Sequence, residues 1–87
     1  MSHLNLSDIR SEALFASTLQ PSDEPTEAQV RGEITRTLRR LGTDGCAAQM
    51  AQEFGDVPSC AAARMRWARS LVADHVTAPP ARTLTAA

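Results

Sequence analysis

Residues 26–41 read TEAQVRGEITRTLRRL, and this stretch decides the fold class. Thr26 and Gln29 stand three positions apart at its start, which is the spacing of a helix capping box. Apolar residues then recur every three or four positions, as on one face of an α-helix: Val30, Ile34, Leu38 and Leu41. Gly42 follows, and glycine commonly ends a helix. The stretch therefore predicts a helix over 26–41 with arginines on its outer side.

The rest of the chain predicts three further helices. Hydrophobic residues make up 43% of the chain and aromatic residues only 3%, so small aliphatic side chains must fill the core. We expect an all-α bundle of four helices, at about 7–20, 26–41, 45–54 and 58–76. Prolines at positions 79 and 80 stop the last helix. These features predict a single helical domain over 1–77 and a disordered C-terminal tail over 78–87.

Three large apolar residues fall outside the main apolar stripes of their helices. Phe15 and Leu19 lie on a second side of the first helix, and Trp67 lies off the stripe of the last one. A helix that is apolar on several sides either crosses several neighbours or offers a face to a partner. Core packing and a protein interface or homodimer contact at Phe15, Leu19 and Trp67 therefore both stay open.

All nine basic residues are arginine, and their distribution is uneven. Residues 1–30 carry one arginine against five carboxylates, whereas residues 31–69 carry seven arginines against four carboxylates. The overall charge is −1, and the isoelectric point is about 6.0. Nucleic-acid-binding domains usually have an isoelectric point above about 9. The composition therefore argues against strong non-specific DNA binding.

The sequence contains no recognisable catalytic or metal-binding constellation. No nucleophile–base–acid set, phosphate-cradling glycine loop or paired-carboxylate cleft is visible, so we expect no enzyme, no catalytic residue and no cofactor. Cys46 and Cys60 do not stand at zinc-ligand spacing from each other or from a histidine, and we expect no metal site. No apolar run approaches the roughly 20 residues that span a bilayer. We expect a cytoplasmic protein with reduced thiols, and neither a membrane nor a small-molecule substrate as a partner.

Residues 49–69, QMAQEFGDVPSCAAARMRWAR, have the rhythm of two short helices joined by a turn. Ala51 stands where the helices would cross closely, and Gly55 stands where a left-handed turn would join them. The stretch resembles the helix-turn-helix in the region-four domain of bacterial sigma factors and in related response regulators. The positions that match that family are Ala51, Gly55, Pro58, Arg64, Ala68 and Arg69. Glu53 and Asp56 depart from it, since the family places apolar residues there.

The resemblance implies a role in bacterial transcription. The helix that begins at Pro58 would enter the DNA major groove, with four side chains facing base edges: Ser59, Ala62, Ala63 and Arg66. Arg69 and Arg64 would hold phosphates, and Arg39 or Arg40 would add a contact to the DNA backbone. On this hypothesis the protein is a small regulatory module that binds DNA weakly, or an acidic protein surface such as part of the transcription machinery. The alternative is a protein-interaction or dimerisation domain that binds no nucleic acid.

Overall fold

The computed structural model of the protein describes residues 6–75. Three α-helices occur in this range, α1 (Leu6–Ala16), α2 (Glu27–Asp56) and α3 (Pro58–His75), and a short 3₁₀ helix at Pro21–Asp23 precedes α2. No strand occurs among the described residues, so the predicted all-α class is confirmed. None of the described helices is both long enough and apolar enough to cross a membrane. The predicted tail over 78–87 lies outside the described residues.

The predicted number of helices was wrong, because α2 contains two of the predicted ones. The helices expected at 26–41 and 45–54 both belong to α2, which is kinked at Gly42. Gly42 has φ 74° and ψ 169°, outside the helical region, and it divides α2 into segments 27–41 and 43–56. A left-handed φ suits glycine because it brings the Cβ atom of other residues too close to a carbonyl oxygen. Gly42 therefore turns the chain, and the helix resumes directly after it.

The start of α2 is set by the capping box that the sequence predicts. The Thr26 hydroxyl accepts a hydrogen bond from the Gln29 backbone N–H at 3.2 Å. In return, the Gln29 side-chain oxygen accepts one from the Thr26 N–H at 2.7 Å. Two backbone donors that a helix N-terminus would leave unpaired are thus satisfied.

The hydrophobic core is small and lies around α1. Four consecutive α1 residues are buried, Ala13–Ala16, and the other helices contribute the remaining buried apolar side chains: Val30, Ile34, Cys46, Ala61, Met65, Ala68 and Val72. α1 runs antiparallel to α3, since Ser7 and Ser11 lie beside Val72 while Phe15 lies beside Arg64. Burying apolar surface on both α2 and α3 explains why α1 is apolar on more than one side.

The C-terminal half of α2 is held more loosely than the rest. Cys46 is the one buried residue of segment 43–56, and every residue from 51 to 60 is exposed. Phe54 keeps one contact with α1, because its ring stacks on the Phe15 ring with centroids 6.0 Å apart. The end of α2 and the start of α3 therefore form an exposed corner.

Candidate recognition surfaces

The corner between α2 and α3 differs from the turn that the helix-turn-helix resemblance implies. Gly55 lies inside α2 and has no left-handed φ, and Ala51 is exposed rather than buried at a helix crossing. Val57, with φ −140° and ψ 73°, is the single non-helical residue at the junction. A helix-turn-helix usually has a turn of about three or four residues. The predicted roles of Gly55 and Ala51 were therefore wrong, and the resemblance itself stays a hypothesis.

Arg64 lies against the C-terminal end of α1 and the residues that follow it. Its Nε donates to the Phe15 carbonyl at 2.8 Å, and its Nη2 donates to the carbonyls of Ser17 at 2.9 Å and Leu19 at 2.8 Å. The guanidinium also lies 4.9 Å from the centroid of the Trp67 ring. The last carbonyls of a helix lack partners within the helix and carry partial negative charge, so a cation placed there is stabilising.

These contacts change the role expected of Arg64. Burial lowers the pKa of its guanidinium, and the nearby carboxylate of Glu53 opposes that shift. Its Nε and Nη2 donors are occupied by backbone carbonyls, although the side chain is only half-buried. Arg64 therefore holds α1 against α3, and its predicted phosphate contact stays a prediction.

The predicted protein interface is largely occupied by the fold itself. Phe15 is 3% exposed and belongs to the core. Leu19 and Trp67 are partly buried and pack against that core. Of the two interpretations that the sequence left open, core packing or a protein interface, core packing therefore applies to Phe15. The large apolar side chains that do reach solvent are different ones, namely Leu6, Phe54 and Val57.

The outer face of α3 carries the residues predicted to read DNA bases. Ser59, Ala63 and Arg66 are exposed, whereas Ala62 is half-buried. Arg69 is exposed at the border of this face and lies near Glu12 of α1. The structure thus places Ser59, Ala63 and Arg66 on one accessible side of α3.

A second surface lies on the N-terminal segment of α2, and we call it the basic face. It surrounds a depression of about 460 Å³ whose lining residues are Arg31, Gly32, Thr35, Arg36 and Arg39. Gly32 leaves room in this depression, because a Cβ atom built there would lie 4.0 Å from Nη2 of Arg36. Three guanidiniums from successive turns therefore border one concave surface.

The three arginines of the basic face differ in their partners. Arg31 donates from Nε to the Glu27 carboxylate at 3.1 Å and from Nη2 to the His75 carbonyl at 3.0 Å. Arg36 forms an ion pair with Glu33. Arg39 is exposed and has no hydrogen bond or ion pair within the part of the chain that the structure describes. Arg39 is therefore the arginine of this face whose donors are all available to a ligand.

Arg40 does not belong to the basic face, although it neighbours Arg39 in sequence. Burial raises the pKa of the Cys46 thiol, the Glu12 carboxylate raises it further, and Arg40 opposes them. Arg40 is therefore close enough to Cys46 to act on its thiol, and it does not line the depression. The sequence-based prediction gave Arg39 and Arg40 the same role, a contact to the DNA backbone. Of the two, only Arg39 lines the depression in the structure.

The spacing of residues 31–39 contains a signal for the basic face that the motif-based predictions did not include. Arg31, Thr35 and Arg39 stand at i, i+4 and i+8, so they form one row along a helix. Gly32 and Arg36 form the adjacent row at the same spacing. Two adjacent rows with a glycine between arginines predict a basic groove, which a count of arginines around the whole helix does not reveal.

Two further findings bear on function. No family model, curated protein or solved structure matches this chain. Within residues 6–75, no group of three or more histidine, cysteine, aspartate or glutamate side chains is arranged to hold a metal ion. The function is therefore argued from the two surfaces themselves.

Proposed function

We propose that the protein is a small interaction module that binds an acidic segment of a partner protein through the basic face of α2. The observation that carries this proposal is the convergence of Arg31, Arg36 and Arg39 on one depression. A guanidinium presents a planar set of donors that matches a carboxylate at two points. Arg39 supplies such a fork with no partner of its own among the described residues.

The size and charge of this surface favour an acidic protein segment over DNA. The basic face occupies one side of one helical segment, and Glu27 and Glu33 already pair with two of its arginines. Duplex DNA carries a negative charge about every 1.7 Å and requires an extended basic track. The chain as a whole has a net charge of −1, so it offers no long-range attraction to a long polyanion. A few carboxylates on a short segment match the depression better.

A second candidate function rests on the outer face of α3. Ser59, Ala63 and Arg66 share an exposed side there, which is the surface that the helix-turn-helix resemblance assigns to base reading. With Nε and Nη2 of Arg64 occupied by carbonyls, Arg66 and Arg69 are the cations left for DNA on that helix. Binding through so few charges would be weak and would fall steeply with added salt.

A titration by fluorescence anisotropy separates the two candidates. A labelled oligoglutamate peptide and a labelled DNA duplex are each titrated with the wild-type protein, Arg39→Gln and Arg66→Gln, at low and physiological salt. We expect the peptide to bind, and Arg39→Gln to weaken it about threefold to tenfold while Arg66→Gln leaves it unchanged. DNA binding that Arg66→Gln abolishes, with no peptide binding at low salt, would replace the first proposal by the second.

A further inference from the structure

Two depressions meet at Thr35. The larger one belongs to the basic face, and a smaller one of about 110 Å³ adjoins it and is lined by Arg10, Arg31, Ile34 and Thr35. Arg31 and Thr35 line both depressions. Because Arg10 belongs to α1, guanidiniums from two helices border the exposed Thr35 side chain. This makes the surface around Thr35 richer in donors than one helix alone would provide.

The charge around Thr35 exceeds what a single carboxylate would balance. Four arginines border the two depressions, and two of them are already paired with Glu27 and Glu33. Among the described residues, Arg10 and Arg39 form no ion pair with a carboxylate on this surface. A phosphate monoester carries about −1.5 to −2 charges near neutral pH and presents three acceptor oxygens in different directions. A carboxylate has one charge and two oxygens in one plane.

We infer that the basic face, together with Arg10, binds a phosphate group carried by the partner segment. This inference rests on the proposed function, because it names the acidic group that the same site selects. Arg39 offers five donors, and the Thr35 hydroxyl adds one between the two depressions. Glu27 and the His75 carbonyl hold the Arg31 guanidinium in place, so less side-chain freedom is lost when the ligand binds. The partner is thus a phosphorylated acidic segment of a protein.

Three peptides of one sequence test this inference. Each has glutamates around a central position that is serine, glutamate or phosphoserine, and each is titrated with the wild-type protein. We expect the phosphoserine peptide to bind about tenfold more tightly than the glutamate peptide. Arg10→Gln should reduce the difference in affinity between these two peptides, mainly by weakening the phosphoserine peptide. Arg66→Gln, which lies on α3 and lines neither depression, should leave the difference unchanged. Thermal unfolding followed by circular dichroism checks that Arg10→Gln is folded, and exposed Thr35→Val serves as a second variant.

The outcomes distinguish this inference from the proposed function. Equal affinities for the glutamate and phosphoserine peptides would overturn the inference and leave the proposed function standing. Failure of all three peptides to bind at low salt would overturn both. Inorganic phosphate is added as a competitor, and displacement only at much higher concentration than the phosphopeptide supports a phosphorylated protein segment as the ligand. Displacement at the same concentration would contradict the protein segment, because the free ion would then suffice.

Discussion

Arg64 and Arg39 are chemically the same residue, yet one lies against the end of a helix and the other extends from the side of one. The Arg64 guanidinium donates to the carbonyls of Phe15, Ser17 and Leu19. Arg39 has no partner among the described residues and borders an open depression. The difference arises because the end of α1 leaves carbonyls unpaired, whereas the side of α2 has no free backbone groups. The surroundings of an arginine, rather than its presence, decide whether it stabilises the fold or remains available for recognition.

The largest expected effect comes from removing the inner arginine. We expect Arg64→Ala to lower the free energy of unfolding by about 3 kcal/mol, because it leaves several partly buried carbonyls without donors. Arg39→Ala should change it by less than about 0.5 kcal/mol, as for other surface substitutions. Arg64→Lys should fall between them, since it keeps the charge and loses the fork. Urea unfolding followed by circular dichroism measures all three. Equal losses for Arg64→Ala and Arg39→Ala would remove the distinction between the two sites.

Substitution at the kink of α2, Gly42, should give a smaller effect, and Gly55 in the same helix provides a matched control. Apart from the adjoining backbone and the two neighbouring residues, no heavy atom of residues 6–75 lies within 4 Å of a Cβ added at Gly42 or at Gly55, so backbone conformation decides the result. Gly42→Ala should cost about 1–2 kcal/mol, because alanine would be forced into a left-handed φ. Gly55→Ala should instead stabilise the protein by about 0.5–1 kcal/mol, because Gly55 lies within a helix.

The opposite order of the two stability changes would place the left-handed turn at a different glycine. If Gly55→Ala destabilised the protein and Gly42→Ala did not, the left-handed turn would lie at Gly55, as the helix-turn-helix resemblance implies. The same urea unfolding experiment decides this. It therefore tests the resemblance through the backbone and needs no knowledge of a ligand.

Local features of the fold could be predicted from the sequence, and contacts between distant segments could not. The capping box at Thr26 and Gln29 depends on residues three apart, and the structure confirms it. Gly42 was expected to end a helix, and it does interrupt one. The helix resumes directly after Gly42, and this depends on how segment 43–56 packs on α1. The spacing of apolar residues in the sequence does not contain that information. The predicted turn at Gly55 failed for the same reason, because helix continuation there is a tertiary outcome.

The two arginine environments show the same limit. Arg31, Thr35 and Arg39 lie in one row of a helix, so half of the basic face is encoded in local spacing. Arg10 joins that surface only because α1 packs beside α2. Arg64 meets carbonyls 45 to 49 positions earlier in the chain. No local pattern distinguishes an arginine that will fasten a distant helix end from one that will remain in solvent.

The smallest expected effect concerns Glu12, a partly buried carboxylate of α1 that lies near Arg69 of α3. Burial raises the pKa of Glu12 and Asp8 raises it further, whereas Arg69 opposes them. The folded protein therefore binds a proton at Glu12 more tightly than the unfolded chain does. This contribution to stability is fully present below the ordinary glutamate pKa and is lost as the pH rises through the raised value in the folded state.

Glu12→Gln should accordingly remove that part of the pH dependence and be more stable relative to the wild type at neutral pH than at acid pH. Arg69→Gln should raise the pKa of Glu12 in the folded protein further, because it removes the positive charge that opposes the shift. The loss of stability with rising pH should then extend to higher pH. Urea unfolding of the three proteins from acid to neutral pH measures both effects. If Glu12→Gln followed the wild-type pH profile, Glu12 would be solvated like a surface carboxylate. The packing of α1 against α3 would then be looser near Glu12 than near Arg64, and α1 would be held firmly at its C-terminal end only.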